Sequence, residues 1–438
     1  MRISEFHIRK LFGLFNYKIP FNMDDRITII HGPNGVGKTT VLKLLEALFL
    51  RKASTLRQIP FESVCVVFDD GSKLTVEKKA TKGKESSWTL KLVYSLRKEI
   101  LYQGDVEETK YKRDFPLSMI EEVLDSLSRV GPEDWVDETT GERLSLEEVL
   151  DRYGEYLPWG SSKSSIPDWS SGKFRSIPIY FIQTQRLLAT AAPRRHPQHG
   201  RFERYTRATV EGLSQDMATR MQQVLRQSGT LAASLDRTFP HRLLQGKLPR
   251  DATEKKIRQK YEEQTAYRKR LMAAGLLDAE ETLPLQQNRL DEGERKVLWY
   301  YLGDVKQKLD VYSSLLQKTE LFRNIINKDK FLFKKLSLDK EKGFIFTMDN
   351  GQNVPLRVLS SGEQHELVLA YELLFRATEK SLILIDEPEL SLHVTWQHRF
   401  LDDMKLISEL ADLDFLIATH SPSIVHKRSD LMIKLEEV

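Results

Sequence analysis

Nine residues, Gly32-Pro33-Asn34-Gly35-Val36-Gly37-Lys38-Thr39-Thr40, constrain this chain more than any others. They fill every position of the pattern G-x-x-x-x-G-K-T. An apolar run from Arg26 to His31 precedes them, and a run with helical spacing, Val41 to Phe49, follows. Strand, glycine loop and helix form the context in which this pattern binds phosphate. The glycines let the backbone curl so that several N–H groups converge on one anion. The helix N-terminus adds the positive end of its dipole. Lys38 is placed to reach β- and γ-phosphates, and the Thr39 hydroxyl to ligate Mg²⁺.

Composition removes several alternatives. The chain has 438 residues, 40% hydrophobic and 30% charged. That is enough for two or three domains with a large core, and too apolar for disorder. A net charge of +4 is too small to specify nucleic acid by itself. The single cysteine, Cys65, sits in the apolar run Val64 to Phe68, so no intrachain disulfide can form. It reads as a buried structural thiol in a reducing, cytoplasmic compartment. The start, Met1-Arg2-Ile3-Ser4-Glu5, lacks signal-peptide character, and no run approaches the roughly 18 apolar residues of a membrane span. No membrane partner is expected.

Along the chain, Ile3, Phe6 and Ile8, then Tyr17-Lys18-Ile19-Pro20-Phe21, suggest a hairpin leading into the first core strand. Three strand candidates, Ser63–Asp69, Lys73–Lys79 and Trp88–Tyr94, are separated by Asp70-Gly71 and Lys82-Gly83-Lys84 and form an antiparallel annex. From about 116 the spacing turns helical. Met119, Ile120, Val123, Leu124 and Leu127 share a face, and Leu144–Tyr153 reads as a second amphipathic helix. Residues 158–176 read as a loop, and Ile177–Ile182 as a buried strand before Gln183-Thr184-Gln185-Arg186. Six arginines, Arg186, Arg194, Arg195, Arg201, Arg204 and Arg207, lie near Phe202 and Tyr205. They form either a solvated loop or one that tracks phosphates or docks a partner.

Residues 207–245 read as two helices broken at Ser228-Gly229. Asp251-Ala252-Thr253-Glu254 has capping-box spacing and opens a charged helix ending near Gly275. A long helix from Asp291 to Asn327 sets Leu298, Leu302, Val305, Leu309, Tyr312 and Leu316 at steps of four and three, a coiled-coil seam. With 251–275 it makes a short helical hairpin. Phe344–Met348, a turn at Asp349-Asn350-Gly351, and Val354–Val358 read as a β-hairpin.

Three later stretches complete a site. Leu359-Ser360-Ser361-Gly362-Glu363-Gln364 precedes a helical run to about Ala377. Its hydroxyl, N–H groups and dipole make a further anion site, although alone the run is no more than a helix cap. Leu382–Ile385 is all apolar, as in a buried parallel strand, and ends in Asp386 and Glu387. Asp386 suits the Mg²⁺ ligand shell and Glu387 the attacking water. Asp414–Thr419 is a strand ending on His420, a side chain able to sense a γ-phosphate. No metal-spaced His/Cys set and no second nucleophile motif accompanies them.

Together, Gly32–Thr39, Leu359–Gln364, Leu382–Glu387, Pro388-Glu389-Leu390-Ser391-Leu392-His393 and His420 resemble the ABC-type ATPase heads of the SMC-like group, over roughly 1–100, 177–186 and 340–438. The resemblance implies an α/β fold: an ABC-ATPase head with a mixed core sheet and antiparallel annex, carrying an inserted α-helical subdomain with a short coiled-coil hairpin. It implies ATP and Mg²⁺ as cofactors. Gly32 to Thr40, Ser360, Ser361, Gly362, Glu363 and Gln185 would hold the nucleotide. Lys38, Glu387 and His420 would be catalytic. Thr39 and Asp386 would hold the metal with a Q-loop glutamine, which is Gln183 or Gln185, with Gln185 preferred. The expected segments are an N-terminal head lobe (1–110), a helical insertion (111–176), head strand and Q-loop (177–190), basic loop and helical insertion (191–340), and a C-terminal head lobe (341–438). In such heads Ser361 and Gly362 of one chain close over ATP held by another. That implies head-to-tail dimers, and assemblies up to a hexamer.

The second insertion, under about 180 residues, is too short for the long arms of SMC repair proteins. The absence of a transmembrane part argues against transport, and the chain ends too soon after His420 for the TOPRIM nuclease of OLD-type proteins. Ile179–Leu188 and Asp386–His393 look like the stand-alone ATPases of bacterial anti-phage operons, first the PARIS ATPase subunit and second the Septu or retron-associated ATPase. This implies a slowly hydrolysing oligomeric sensor and scaffold that holds a separate effector nuclease, TOPRIM-type first and HNH-type second. A phage-encoded trigger protein would release or activate it. The alternative is an SMC-like DNA-repair or genome-maintenance ATPase that clamps DNA through Arg186–Arg207.

Overall fold

A computed structural model of the chain describes residues 1–50, 52–80, 88–97, 99–106, 117–124, 127–137, 143–146, 149, 177–182, 188–190, 206–278, 283–285, 288–328, 331 and 333–435. The chain divides into two compact units, Met1–Thr206 with Ala377–Val438, and Arg207–Arg376.

In the first unit, strands Ile179–Ile182, Leu382–Asp386, Asp414–Ala418, Ile27–His31 and Met432–Lys434 lie side by side in that order. Every described pairing is parallel. The cause is visible in the side chains: Ile29, Ile30, Ile383, Leu384, Phe415, Leu416 and Ile417 are fully buried. Unbroken apolar runs suit a strand covered on both faces. A second sheet, ordered Phe15–Pro20, Ile3–Leu11, Ser63–Phe68, Ser72–Ala80, Trp88–Leu96, Glu99–Val106, is antiparallel throughout. The antiparallel annex is the one the motifs imply, whereas the core sheet is parallel in every described pairing rather than mixed, because its strands are apolar runs covered on both faces. Phe6, Ile8, Val64, Val66, Leu74, Val76, Leu90 and Leu92 alternate onto one buried face and share a core with helix Lys38–Phe49. Glu99–Val106 adds a strand that sequence reading does not identify. Cys65 is half-buried opposite His7, on the other face from Val64 and Val66, and is not the buried thiol its apolar neighbours suggest.

Leu127–Arg129, Asp134–Asp137 and Arg143–Ser145 form a small antiparallel sheet around fully buried Trp135. The helix expected from about 116 to near Gly131-Pro132 covers only Ser118–Val123 among the described residues, and Leu144 opens as strand rather than helix. Trp135 gathers Leu127 and Leu144 into one cluster, and that tertiary gain overrides the local period. The loop 158–176, residues 147–153 except 149, Gln183, Gln185, and the basic-loop residues Arg186, Arg194, Arg195, Arg201 and Arg204 lie outside the described residues, as does the side chain of Arg207.

The second unit contains helices Thr209–Gln245, Glu254–Ala273, Glu292–Asp310, Ser313–Asn327 and Ser361–Tyr371, with a small sheet of Lys334–Asp339, Gly343–Met348 and Asn353–Val354. Thr209–Gln245 runs unbroken through Ser228-Gly229, against the expected break. It is held from the side: Ser228 Oγ donates to Lys308 O at 3.3 Å, Lys308 Nζ reaches Asp236 at 2.7 Å, and Arg242 forks both oxygens of buried Asp304 at 2.7 Å. These contacts outweigh the roughly 1 kcal/mol that a helical glycine costs. The expected 291–327 helix is instead two, interrupted at Val311 and Tyr312. The Tyr312 N–H bonds Leu309 O at 3.0 Å, a tighter turn that buries the Tyr312 ring. Leu302, Val305, Leu309, Tyr312 and Leu316 are all buried, so the seam faces inward on both pieces. Glu292–Asp310 packs against Glu254–Ala273 and also against Thr209–Gln245, which adds a third helix to the expected hairpin. The cap at 254 is Thr253, which accepts from Lys256 N, while Asp251 pairs with Lys256 Nζ at 2.9 Å instead. Val354 ends its strand because Pro355 has no N–H to continue it, and Leu356–Val358 turns as a 3-10 helix. Phe322, Phe344, Tyr371 and Phe375 form an aromatic cluster beneath the Ser361 helix.

Among the described residues, no helix is long and apolar enough to cross a membrane.

Candidate active site

The described expected residues of the first unit lie at or just past the carboxyl ends of parallel core strands. Gly32–Lys38 follows Ile27–His31, Glu387 follows Leu382–Asp386, and His420 follows Asp414–Ala418. The register Ile385–Ile417–Ile29 aligns these three ends. Ligands of open parallel sheets bind at that edge.

Gly35 and Gly37 are left-handed, with φ 89 and 86. Gly37 is the N-cap of Lys38–Phe49 and offers no side-chain acceptor, so the first-turn N–H groups of that helix carry no side-chain cap. Such groups bind anions. Tyr17 OH donates to Val36 O at 2.8 Å and pins the loop to the antiparallel sheet. The partly exposed Phe12 ring stands against Gly37, 3.1 Å from where a Cβ would lie. It makes an apolar wall beside the phosphate loop. Sequence reading missed it, since Phe12-Gly13 resembles any hairpin tip.

Lys38 is nearly buried. Its Nζ donates to Gly32 O at 2.9 Å and Pro33 O at 3.1 Å, and stands 3.5 Å from His420 Nδ1. Burial holds its pKa below the usual lysine value, against the pull of Glu387, Asp386 and Glu389. Thr39 Oγ1 donates to Asp386 Oδ2 at 2.8 Å. Asp386 Oδ1 is buried with no hydrogen-bond partner among the described residues. Burial raises the Asp386 pKa, the Glu387 charge adds to that, and the Thr39 bond opposes it. A buried carboxylate oxygen without a donor is what a cation relieves, so Thr39 and Asp386 fit Mg²⁺. Among the described residues no group of three or more His, Cys, Asp or Glu could hold a metal. Mg²⁺ held by Thr39 and Asp386 would take its remaining ligands from other oxygens, such as those of phosphates and water.

Glu387 is left-handed, φ 45 and ψ 58. For a residue with a Cβ that costs about 1–2 kcal/mol. Its N–H donates to Ala418 O at 2.8 Å, and its Oε1 lies 3.8 Å from His420 Nε2. Lys38, His420 and Glu387 thus stand in a row. Behind His420 lies the Glu389 carboxylate, which the sequence offers only as part of the run Pro388–His393.

In the second unit, Ser360 caps helix Ser361–Tyr371 in a reciprocal capping box with Glu363: Glu363 N to Ser360 Oγ is 3.3 Å, and Ser360 N to Glu363 Oε2 is 2.8 Å. Lys334 Nζ adds 2.8 Å bonds to both Glu363 oxygens. The Glu363 carboxylate is thereby occupied within the unit, so its part in any anion site is to hold the helix start. Ser361 stays exposed and Gly362 half-exposed at that start.

A family model described as "AAA domain, putative AbiEii toxin, Type IV TA system" matches residues 27–426. The Retron Ec83 probable ATPase of Escherichia coli is 28% identical over 158 residues, covering 32% of this chain and 29% of that protein. The Zinc import ATP-binding protein ZnuC of Rickettsia bellii is 30% identical over 135 residues, covering 31% of this chain and 54% of that protein. The chain thus spans under a third of one relative and about half of the other. Among solved structures, the Smc head domain with an extended coiled coil from Pyrococcus furiosus aligns at 13% identity and TM-score 0.33, covering 100% of this chain and 94% of that one. The SMC head domain from Thermotoga maritima aligns at 13% identity and TM-score 0.33, covering 100% and 96%.

Proposed function

We propose that this chain, which belongs to the AAA-domain family of P-loop ATPases matched over residues 27–426, hydrolyses ATP slowly as the oligomeric sensor and scaffold of an anti-phage defence system in the cytoplasm. The observation that carries the chemistry is the Thr39–Asp386 bond of 2.8 Å, with Asp386 Oδ1 beside it, which has no partner among the described residues. Loop N–H groups receive the phosphates, and Lys38 exchanges the Gly32 and Pro33 carbonyls for β- and γ-phosphate oxygens. Thr39 and Asp386 would hold Mg²⁺, which supplies Lewis-acid neutralisation of charge on the phosphate oxygens. Glu387 orients the attacking water and takes its proton on the carboxylate. His420, between Lys38 and Glu387, meets the γ-phosphate.

The exposed Ser361 helix start would add anion donors to ATP held by a second copy, giving head-to-tail dimers and assemblies up to a hexamer. Likeness to a retron ATPase supports the defence reading. Placement beside the PARIS or the Septu and retron-associated ATPases rests on Ile179–Leu188 and Asp386–His393. The separate effector nuclease, TOPRIM-type or HNH-type, and the phage-encoded trigger follow from that placement. The test is phosphate release and protection against phage by cells carrying the locus, for wild type, Lys38→Ala and Glu387→Gln. Lys38→Ala is expected to lose nucleotide binding or hydrolysis and to lose protection, and Glu387→Gln to retain ATP in a closed dimer. Wild-type turnover by Glu387→Gln refutes the water-activating role. Unprotected cells, with tight, ATP-dependent, salt-sensitive binding of duplex DNA by the purified chain, favour the DNA-clamping alternative.

A further inference from the structure

Glu389 sits in the 3-10 turn Pro388–Ser391, two residues past Glu387. Its Oε1 accepts the N–H of His420 at 2.8 Å and of Ser421 at 3.1 Å, and its Oε2 accepts the hydroxyl of fully buried Thr419 at 2.8 Å. Thr419 Oγ1 in turn accepts the Ser421 N–H at 3.0 Å. Gln397 closes the arrangement from behind. Its Nε2 donates to Glu389 O at 3.3 Å and Leu392 O at 3.1 Å, and its Oε1 accepts from Ser421 Oγ at 2.9 Å. One carboxylate therefore holds three consecutive residues around His420, two of them through backbone N–H groups. Charge-assisted bonds of this kind are about twice as strong as neutral ones. The turn that carries Glu387 is fastened to the turn that carries His420, beyond the single backbone bond from Glu387 N to Ala418 O.

We infer that Glu389 is a positioning residue for hydrolysis: it fixes the His420 backbone so that the imidazole stays between Lys38 and Glu387. The inference rests on the ATPase reading above. A misplacement of about 1 Å at a reacting centre can cost a hundredfold in rate, and Glu389→Ala removes three of the bonds that hold the Thr419–Ser421 turn.

The experiment uses the full chain and measures kcat for ATP and affinities for ATP and ADP. The variants are Glu389→Ala, Glu389→Gln, Thr419→Val and His420→Ala, together with the Glu389→Ala/His420→Ala double. Glu389→Ala is expected to lower kcat about ten- to a hundredfold with ADP affinity within about twofold of wild type. Glu389→Gln keeps an oxygen facing the two N–H groups and recovers most of the rate. Thr419→Val, which removes the hydroxyl bonded to Glu389 and to the Ser421 N–H but leaves both Glu389 bonds to the backbone, keeps nearly the same shape, gives a smaller loss and serves if Glu389→Ala does not fold. In the His420→Ala background Glu389→Ala costs nothing further. An unchanged kcat in Glu389→Ala and Thr419→Val, or additive losses in the double variant, overturns the assignment. If wild type releases no phosphate, the ATPase reading fails separately, and Glu389 is read from binding alone. Glu389→Ala must then reduce ATP-over-ADP preference as His420→Ala does, and an unchanged preference overturns the assignment.

Discussion

Gly35 and Gly37 have almost the same backbone, φ 89 and 86, and different surroundings. A Cβ at Gly35 would meet nothing within 4 Å, whereas one at Gly37 would lie 3.1 Å from both Leu11 Cδ2 and the Phe12 ring. Holding an alanine left-handed costs about 1–2 kcal/mol, so Gly35→Ala loses about that much. Gly37→Ala loses the same and adds overpacking, since carbon atoms sit best at about 3.5–4.0 Å. Overpacking costs about 1–3 kcal/mol, and the low end applies here because the partly exposed Phe12 ring can yield while buried Leu11 cannot. Urea unfolding without nucleotide measures both. Gly37→Ala is expected to fall about 1 kcal/mol below Gly35→Ala, and Phe12→Ala to narrow that gap. Equal losses in the two variants, or a gap that Phe12→Ala leaves unchanged, would refute the placement of Phe12 against the phosphate loop.

Thr39→Val keeps the side-chain shape and deletes the hydroxyl on Asp386; titration calorimetry with and without Mg²⁺ should show ATP affinity losing its metal dependence, and an undiminished dependence would count against the cation site. Glu387→Gly removes the cost of a left-handed Cβ, so it should be about 1 kcal/mol more stable than Glu387→Ala in thermal unfolding while neither hydrolyses ATP; lower stability for the glycine variant would contradict the strain. Asp216 accepts from Tyr371 OH at 2.8 Å and Arg220 Nε at 3.2 Å. Burial pushes its pKa up, and these bonds and the arginine charges bring it below the ordinary value of 3.8. Its folded pKa is therefore depressed, so its contribution is complete above the unfolded value and is lost as pH falls through the folded one. Asp216→Asn should flatten the acid-unfolding profile, on the scale of about 1.5–3 kcal/mol for hydrogen bonds to a charged group, and superimposable profiles would rule the contribution out.

The first-unit chemistry was legible because it depends on local patterns. An apolar strand, a glycine loop and a helix are contiguous at 26–49, and Asp386 and Glu387 end an apolar run. Strands buried on both faces announce themselves without any periodicity. What stayed hidden depends on contacts between distant residues. Arg242 and Asp304 carry Thr209–Gln245 past a glycine that locally signals a break. Trp135 turns Leu144 from helix to strand. Glu389 is recognisable only once residues 387–392 and 419–421 are seen side by side.

The parallel core sheet also sets the timetable on which this protein can acquire its activity. Ile27–His31 finds both neighbouring strands, Asp414–Ala418 and Met432–Lys434, roughly 390 or more residues further along the chain. Ribosomes add about 5–20 residues per second, so the strand that leads into the phosphate loop waits about 20–80 s for its partners. Until then it is an exposed apolar segment. Contacts of such separation also form slowly. Nucleotide competence therefore waits until residues 414–434 have been synthesised, and a product truncated before them lacks both strands that flank the one leading into the phosphate loop.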